Sequence, residues 1–185
     1  MKHLRNPTLI LIDIQIGFDD PSWGERNNLE AEDNIGKLLE AWRKKNLPII
    51  HVKHDSSDAN SLLHPENIGN QYKSVARPER GETIIIKKVN SAFIGTNLEQ
   101  LLLEMEANPL VIVGLTTDHC VSTTTRMAAN LGSSCIVING ATATFERQSY
   151  DGKVFSANNV HDLALASLSG EFCEVLSTEK ILSKM

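Results

Sequence analysis

The chain has 185 residues, 41% hydrophobic and 22% charged, proportions that suit one globular domain spanning residues 1–185 with a core of its own. Lys+Arg 18 against Asp+Glu 23 leaves a formal net charge of −5, and the one basic run, Arg43-Lys44-Lys45, falls at the end of a helical pattern, where it complements the helix dipole. Nucleic acid and anionic membranes are therefore excluded as expected partners.

No apolar run approaches the roughly 18 residues needed to cross a bilayer. The start, Met1-Lys2-His3-Leu4-Arg5, is basic, but the apolar segment after it, residues 9–12, is too short for a signal peptide. Three widely spaced cysteines, Cys120, Cys135 and Cys173, fit neither a disulfide framework nor a zinc ribbon. The expected location is cytoplasmic.

In chain order, a β-branched apolar run predicts a first strand over residues 8–14. Ile35, Leu38, Leu39 and Trp42 recur at helical spacing and predict a helix over 31–45. Strands follow over 48–53 and 83–87. Between them, residues 55–81 hold Ser, Asn, Asp, Pro and Gly with scattered apolar residues, which reads as a long ordered loop or short helices, and loops of this length are usually functional. Leu98, Leu101, Leu102 and Met105 predict a helix over 97–106, and a strand over 110–115 leads to a helix over 119–131. The rest reads as strand 134–138, helix 159–169, strand 172–176 and helix 178–183. Most of these strands are continuously apolar, as in a parallel sheet buried on both faces. The β-α-β alternation predicts an α/β fold, a Rossmann-like three-layer α/β/α sandwich with right-handed crossovers.

Ligands of open parallel sheets bind beyond the carboxyl ends of the strands, so reactive residues there carry the functional reading. Asp13 follows four apolar residues, where a carboxylate is costly unless paired; a structural turn cap explains it equally well. Lys87 and Lys88 end Ile84-Ile85-Ile86 and point to opposite faces. Spacing does not choose between them, and a solvated strand-end lysine is the simpler reading of either. Cys120 stands at a strand–turn–helix junction, with Thr117 or Asp118 as the expected N-cap. A helix N-terminus there favours thiolate over thiol and offers backbone N–H groups to an oxyanion. A small buried core residue is the competing reading of Cys120, and the better one for Cys135 and Cys173.

The segments Ile12-Asp13-Ile14-Gln15, Lys87-Lys88-Val89-Asn90-Ser91-Ala92-Phe93 and Gly114-Leu115-Thr116-Thr117-Asp118-His119-Cys120-Val121-Ser122-Thr123-Thr124 occur in the order of the isochorismatase-like cysteine hydrolases. The chain resembles that family from its first strand through Ala141-Thr142-Ala143-Thr144-Phe145. The family lysine lies four residues before the Ser of Ser-Ala-Phe, which selects Lys87 over Lys88. The resemblance implies a six-stranded parallel sheet carrying an Asp13–Lys87–Cys120 triad. It also implies a non-proline cis peptide at Leu115–Thr116 and an oxyanion hole from the amides of Thr116 and Cys120. The implied activity is cleavage of a small amide, imide or carbamoyl compound through a Cys120 thioester. The implied assembly is a homo-oligomer, dimer or tetramer.

Family members that hydrolyse the vinyl ether isochorismate lack the cysteine, so Cys120 favours the amidase-like branch over that alternative. The nicotinamidase branch binds a metal through an Asp-x-His motif; here the region reads His51-Val52-Lys53-His54-Asp55, and Lys53 would oppose a cation. His64 lies farther on, and scattered histidines make a weak site. Neither metal nor cofactor is expected. No Gly-x-Gly-x-x-Gly follows the first strand, and no phosphate-cradling Gly-x-x-x-x-Gly-Lys occurs. Phe18, Trp23, Phe93 and Phe145 fall near predicted strand ends and, with His54 and Thr117, are the expected pocket residues; core or interface packing competes for the aromatics. His54 either faces the pocket or anchors a loop, His119 points away, and His161 is expected at the surface. A reading from another class, a thiol redox sensor or silent binding protein, needs an accessible thiolate and a resolving thiol, and Cys135 and Cys173 look buried.

Overall fold

Leu9 to Ile12 alternate between two apolar layers, and that alternation organises the molecule. Leu9 and Leu11 join one hydrophobic cluster, and Ile10 and Ile12 join the other on the opposite face. The computed structural model describes residues 6–185; the tip at residues 1–5, whose composition bears on a signal peptide, lies outside them. Strands β1 (Thr8–Ile12), β2 (Ile49–His54), β3 (Thr83–Lys87), β4 (Leu110–Leu115), β5 (Cys135–Ala143) and β8 (Glu174–Leu176) form one sheet in the order β3-β2-β1-β4-β5-β8. Every pairing in it is parallel. A two-stranded antiparallel hairpin, β6 (Arg147–Gln148) with β7 (Val154–Phe155), lies outside it.

Helices α1 (Ala31–Lys44) and α5 (Thr178–Leu182) cover the first face through Ile35, Leu38, Trp42 and Ile181. Helices α2 (Leu98–Glu104), α3 (Ser122–Asn130) and α4 (Ala157–Leu168) cover the second through Leu98, Leu102, Ala128, Leu165 and Leu168. This is the three-layer α/β/α sandwich. The chain winds outward from β1 in one direction and from β4 in the other. The crevice between their carboxyl ends is thus the topological switch point, where such sheets bind ligands.

The element ends differ from expectation for local reasons. β1 stops at Ile12 because Asp13 adopts φ 54°, a left-handed conformation that turns the chain out of the strand. β5 runs on to Ala143 through Asn139-Gly140. β2 and β8 begin one and two residues later than the apolar runs suggest, at Ile49 and Glu174. The helix expected from residue 119 starts as a π-helical turn, Thr117–Val121, before α3. Residues 55–81 contain two 3-10 turns, Ile68–Asn70 and Ser74–Ala76. No helix among the described residues is long and apolar enough to cross a membrane.

Candidate active site

Asp13 is the first residue beyond β1, and its amide still donates to Val52 O of β2 at 2.9 Å. Lys87 ends β3, opposite His54 of β2. Along β3, Ile84, Ile86 and Lys88 are exposed whereas Ile85 and Lys87 are buried, so strand alternation itself turns Lys87 inward. Lys87 Nζ lies 2.7 Å from Asp13 Oδ2, 2.8 Å from His54 Nδ1 and 3.3 Å from Cys120 Sγ. Asp13, Lys87 and Cys120 are all buried. Among the described residues Asp13 Oδ1, also buried, accepts no hydrogen bond, and a carboxylate oxygen of Asp13 lies within 4.8 Å of Cys120 Sγ. The structure thus brings together the three residues singled out in separate segments of the chain.

The Leu115–Thr116 peptide is cis. In the π turn that follows, the Thr116 carbonyl accepts from His119 N and Val121 N, both at 3.2 Å, and the Cys120 amide does not bond back to it. Among the described residues the Thr116 amide has no backbone partner. Neither expected N-cap serves that role. Thr117 Oγ1 is 2.9 Å from His161 Nδ1, and Asp118 accepts from Thr144 Oγ1 at 2.5 Å and from Arg147 Nε at 2.9 Å. His161 is buried by this contact instead of lying on the surface. The His119 side chain is largely exposed, 3.5 Å from Asp118.

The Cys120 thiol is pushed up to about 12, first by burial and then by the Asp13 charge, with Lys87 pulling the other way. A helix N-terminus favours thiolate over thiol, but burial and the nearby carboxylate act in the opposite sense here. The sulfur also lies 3.7 Å from Asn90 Oδ1.

Ligand atoms of Asp13, His54 and Cys120 lie within 4.8 Å of one another, a set with the chemistry to hold a metal ion. Lys87 Nζ contacts all three, so the ammonium already supplies the positive charge and a divalent ion would have to displace it. Lys53, expected to oppose a cation, instead pairs with Asp55 at 3.1 Å. His51 pairs with Glu82 at 2.7 Å, and His64 Nδ1 accepts from Glu66 N at 3.3 Å.

Phe18, Trp23 and Phe145 pack on one another with ring centroids 5.2, 5.5 and 6.3 Å apart. Phe18 and Phe145 are buried in the first core cluster, and Trp23 Nε1 donates to Gly17 O at 2.8 Å. Phe93 is not in that trio; it packs on the second core cluster and lines a groove with Leu102, Leu103 and Leu131. Two residues beside the site escaped the sequence reading. Gln15, fully buried, hydrogen-bonds the backbone of His54, and Asn90 faces the sulfur. Gln15 stands just beyond the expected first strand, and the signal for both residues is their place inside the Ile12–Gln15 and Lys87–Phe93 segments that carry the resemblance.

The isochorismatase domain matches residues 7–180. The chain is 47% identical over 175 residues to the uncharacterized isochorismatase family protein YrdC of Bacillus subtilis (strain 168), covering 95% of this chain and 94% of that protein. It superposes on the crystal structure of an isochorismatase-family protein from Chromobacterium violaceum ATCC 12472 with a TM-score of 0.96 at 42% identity, over 100% of this chain and 96% of that one. Streptothricin hydrolase of Streptomyces noursei is 22% identical over 166 residues, 90% of this chain and 57% of that protein. The doubly wound sheet thus has close structural counterparts, and the chain belongs to the isochorismatase family of hydrolases.

Proposed function

We propose that the protein is a cysteine amidohydrolase that cleaves the C–N bond of a small amide, imide or carbamoyl compound. The observation that carries this reading is the buried contact of one ammonium with both a carboxylate and a thiol, at 2.7 and 3.3 Å. A thiol pushed up to about 12 is a poor nucleophile until a base removes its proton, and a carboxylate oxygen of Asp13 lies within 4.8 Å of the sulfur. Asp13 takes the proton, Lys87 balances the charge left on sulfur, and Cys120 Sγ then bonds to the carbonyl carbon. The carbonyl electron pair moves to oxygen, which the amides of Thr116 and Cys120 receive. The tetrahedral adduct collapses, the C–N bond breaks, and the proton on Asp13 goes to the departing nitrogen, leaving a thioester. Water gives a proton to Asp13 as its oxygen bonds to the thioester carbon. Expulsion of the sulfur, which takes that proton back, releases the acid. A distant relative named for streptothricin hydrolysis supports the class of reaction.

The test is purified protein incubated with a panel of small primary amides, imides and carbamoyl compounds, with acid and nitrogen product measured and intact mass recorded. Turnover with an acyl adduct on Cys120, lost in Cys120→Ala, is the expected result. Full activity in Cys120→Ala, or oxidised sulfur as the sole change on Cys120, overturns the proposal.

A further inference from the structure

An ammonium carries three hydrogens and no acceptor, and Lys87 Nζ has three neighbours: Asp13 Oδ2 at 2.7 Å, His54 Nδ1 at 2.8 Å and Cys120 Sγ at 3.3 Å. Asp13 and Cys120 are reactants in the mechanism above, whereas His54 has no role in it. We infer that His54 is a positioning residue: a neutral imidazole whose Nδ1 lone pair holds one hydrogen of the Lys87 ammonium and so fixes Nζ between the carboxylate and the sulfur. The inference rests on the proposed amidase reaction for its catalytic consequence, but its geometry stands apart from it.

A lysine stem has four rotatable bonds, so a buried ammonium needs fixed stops to hold one location through a reaction. The backbone of His54 is such a stop. Its amide donates to Gln15 Oε1 at 2.9 Å, and its carbonyl accepts from Gln15 Nε2 and Asn70 Nδ2, both at 3.0 Å. The imidazole therefore projects from an anchored strand end, and the ammonium conforms to it.

Only one protonation state suits this arrangement. An imidazole that accepts at Nδ1 carries its proton on Nε2, and an imidazolium cannot accept at all. Protonation would set two cations about 3 Å apart in a largely buried site. The charged and titratable groups facing His54 are Lys87 from β3, Asp13 beyond β1, Cys120 from the nucleophile turn, and Asp55 in its own segment, which is engaged by Lys53 and Asn70. Tyr72, influenced by Asp13 and Asp55, is pushed up to about 12 by burial and stays neutral. Burial, then the Lys87 charge, lowers the His54 pKa below its ordinary value, against the two carboxylates. The sign follows: positioning is intact at neutral pH and fails as pH falls through that lowered value.

The test compares wild type with His54→Asn and His54→Ala, since Asn Oδ1 can stand where Nδ1 stands and accept the same hydrogen. Three readouts are taken: the ¹⁵N shifts of His54, the pH dependence of Cys120 alkylation by iodoacetamide followed by intact mass, and kcat and KM on an amide that wild type turns over. The expected results are a bare Nδ1 and protonated Nε2 at pH 7.5, and a wild-type acid limb in both rate profiles. His54→Ala should lose about 100-fold in kcat with KM little changed, the cost of a misplaced group. His54→Asn should recover most of that rate and lack the histidine limb. A protonated Nδ1, an Asn variant as slow and as acid-sensitive as the Ala variant, or a loss confined to KM overturns the inference. The shifts and the alkylation need no substrate. A wild type with the stated tautomer and no amide turnover therefore refutes the amidase reading and leaves this one standing.

Discussion

Gly114 offers the sharpest test of how the site is held together. It sits in β4 with φ 123°, beside a register shift against β5, and pairs with Ile12, the residue before Asp13. A Cβ built there lies 2.0 Å from Ile12 O and 2.8 Å from Ile12 C and N, all backbone atoms that no rotamer change can move. Gly114→Ala therefore forces β1 and β4 apart. An L-residue in so sparsely populated a backbone region costs about 1–3 kcal/mol. Overpacking against a fixed wall adds about 1–3 kcal/mol. The sum centres on roughly 4 kcal/mol, which for a chain of this size lowers Tm by about 8–16 °C. Urea unfolding followed by circular dichroism should show a midpoint shifted down with the slope unchanged. Because Asp13 follows Ile12 and the nucleophile turn follows Leu115, turnover should fall further than the loss of folded protein explains. A loss under about 1 kcal/mol, typical of an average substitution, would refute the argument by showing that the two strands accommodate a methyl group at their closest approach.

Replacing Asp13 by Asn keeps the shape but removes the proposed base, and should lower kcat by about a hundredfold to ten-thousandfold in steady-state assays. Thr117→Val strips the hydroxyl 2.9 Å from the buried His161 and should cost about 1–3 kcal/mol by thermal or urea unfolding. Glu82 is held down to about 2: burial pushes its carboxyl up, but Arg43, the Glu79 amide and His51 together outweigh that. A depressed carboxylate stabilises the fold above its ordinary value of 4.5 and loses that effect as pH falls toward about 2. Glu82→Gln should therefore destabilise by about 1 kcal/mol at pH 7, after allowance for solvent screening, and hardly at all near pH 2, read from unfolding curves across that range.

The apolar strands were legible because burial on both faces leaves continuous hydrophobic runs, whereas position alone left structural readings open for Asp13, Lys87 and Cys120, and the resemblance in motif order singled them out. Strand ends were less legible, since they are decided by single backbone conformations. The run through Ile14 reads as strand, yet Asp13 at φ 54° ends it two residues early. The strand expected to end at residue 138 continues through Asn139-Gly140 to Ala143 as β5. The β6–β7 hairpin has two-residue strands, too short for any periodicity to register. His161 looked like a surface residue because its partner, the Thr117 hydroxyl, is 44 positions away and no local pattern announces it. Likewise, the aromatic residues suggested one wall, but only tertiary packing separates Phe93 from the other three.

The primary amide of Gln15 behaves as a detached peptide group. It donates to His54 O and Asn70 O and accepts from His54 N, just where the main chain of β1 has turned away at Asp13. The β1–β2 ladder is thereby extended by one rung made of side chain. Asn70 adds a second such rung, donating to His54 O, Asp55 Oδ1 and Leu63 O. The long segment between β2 and β3 is thus tethered beside the site by side-chain amides as well as by the Asp55–Lys87, Ile16–Gln71 and Lys73–Ile14 backbone bonds and the core packing of Leu63 and Ala76. The amides that hold this segment therefore also hold the strand end that carries His54, so the loop and the site are braced by the same groups.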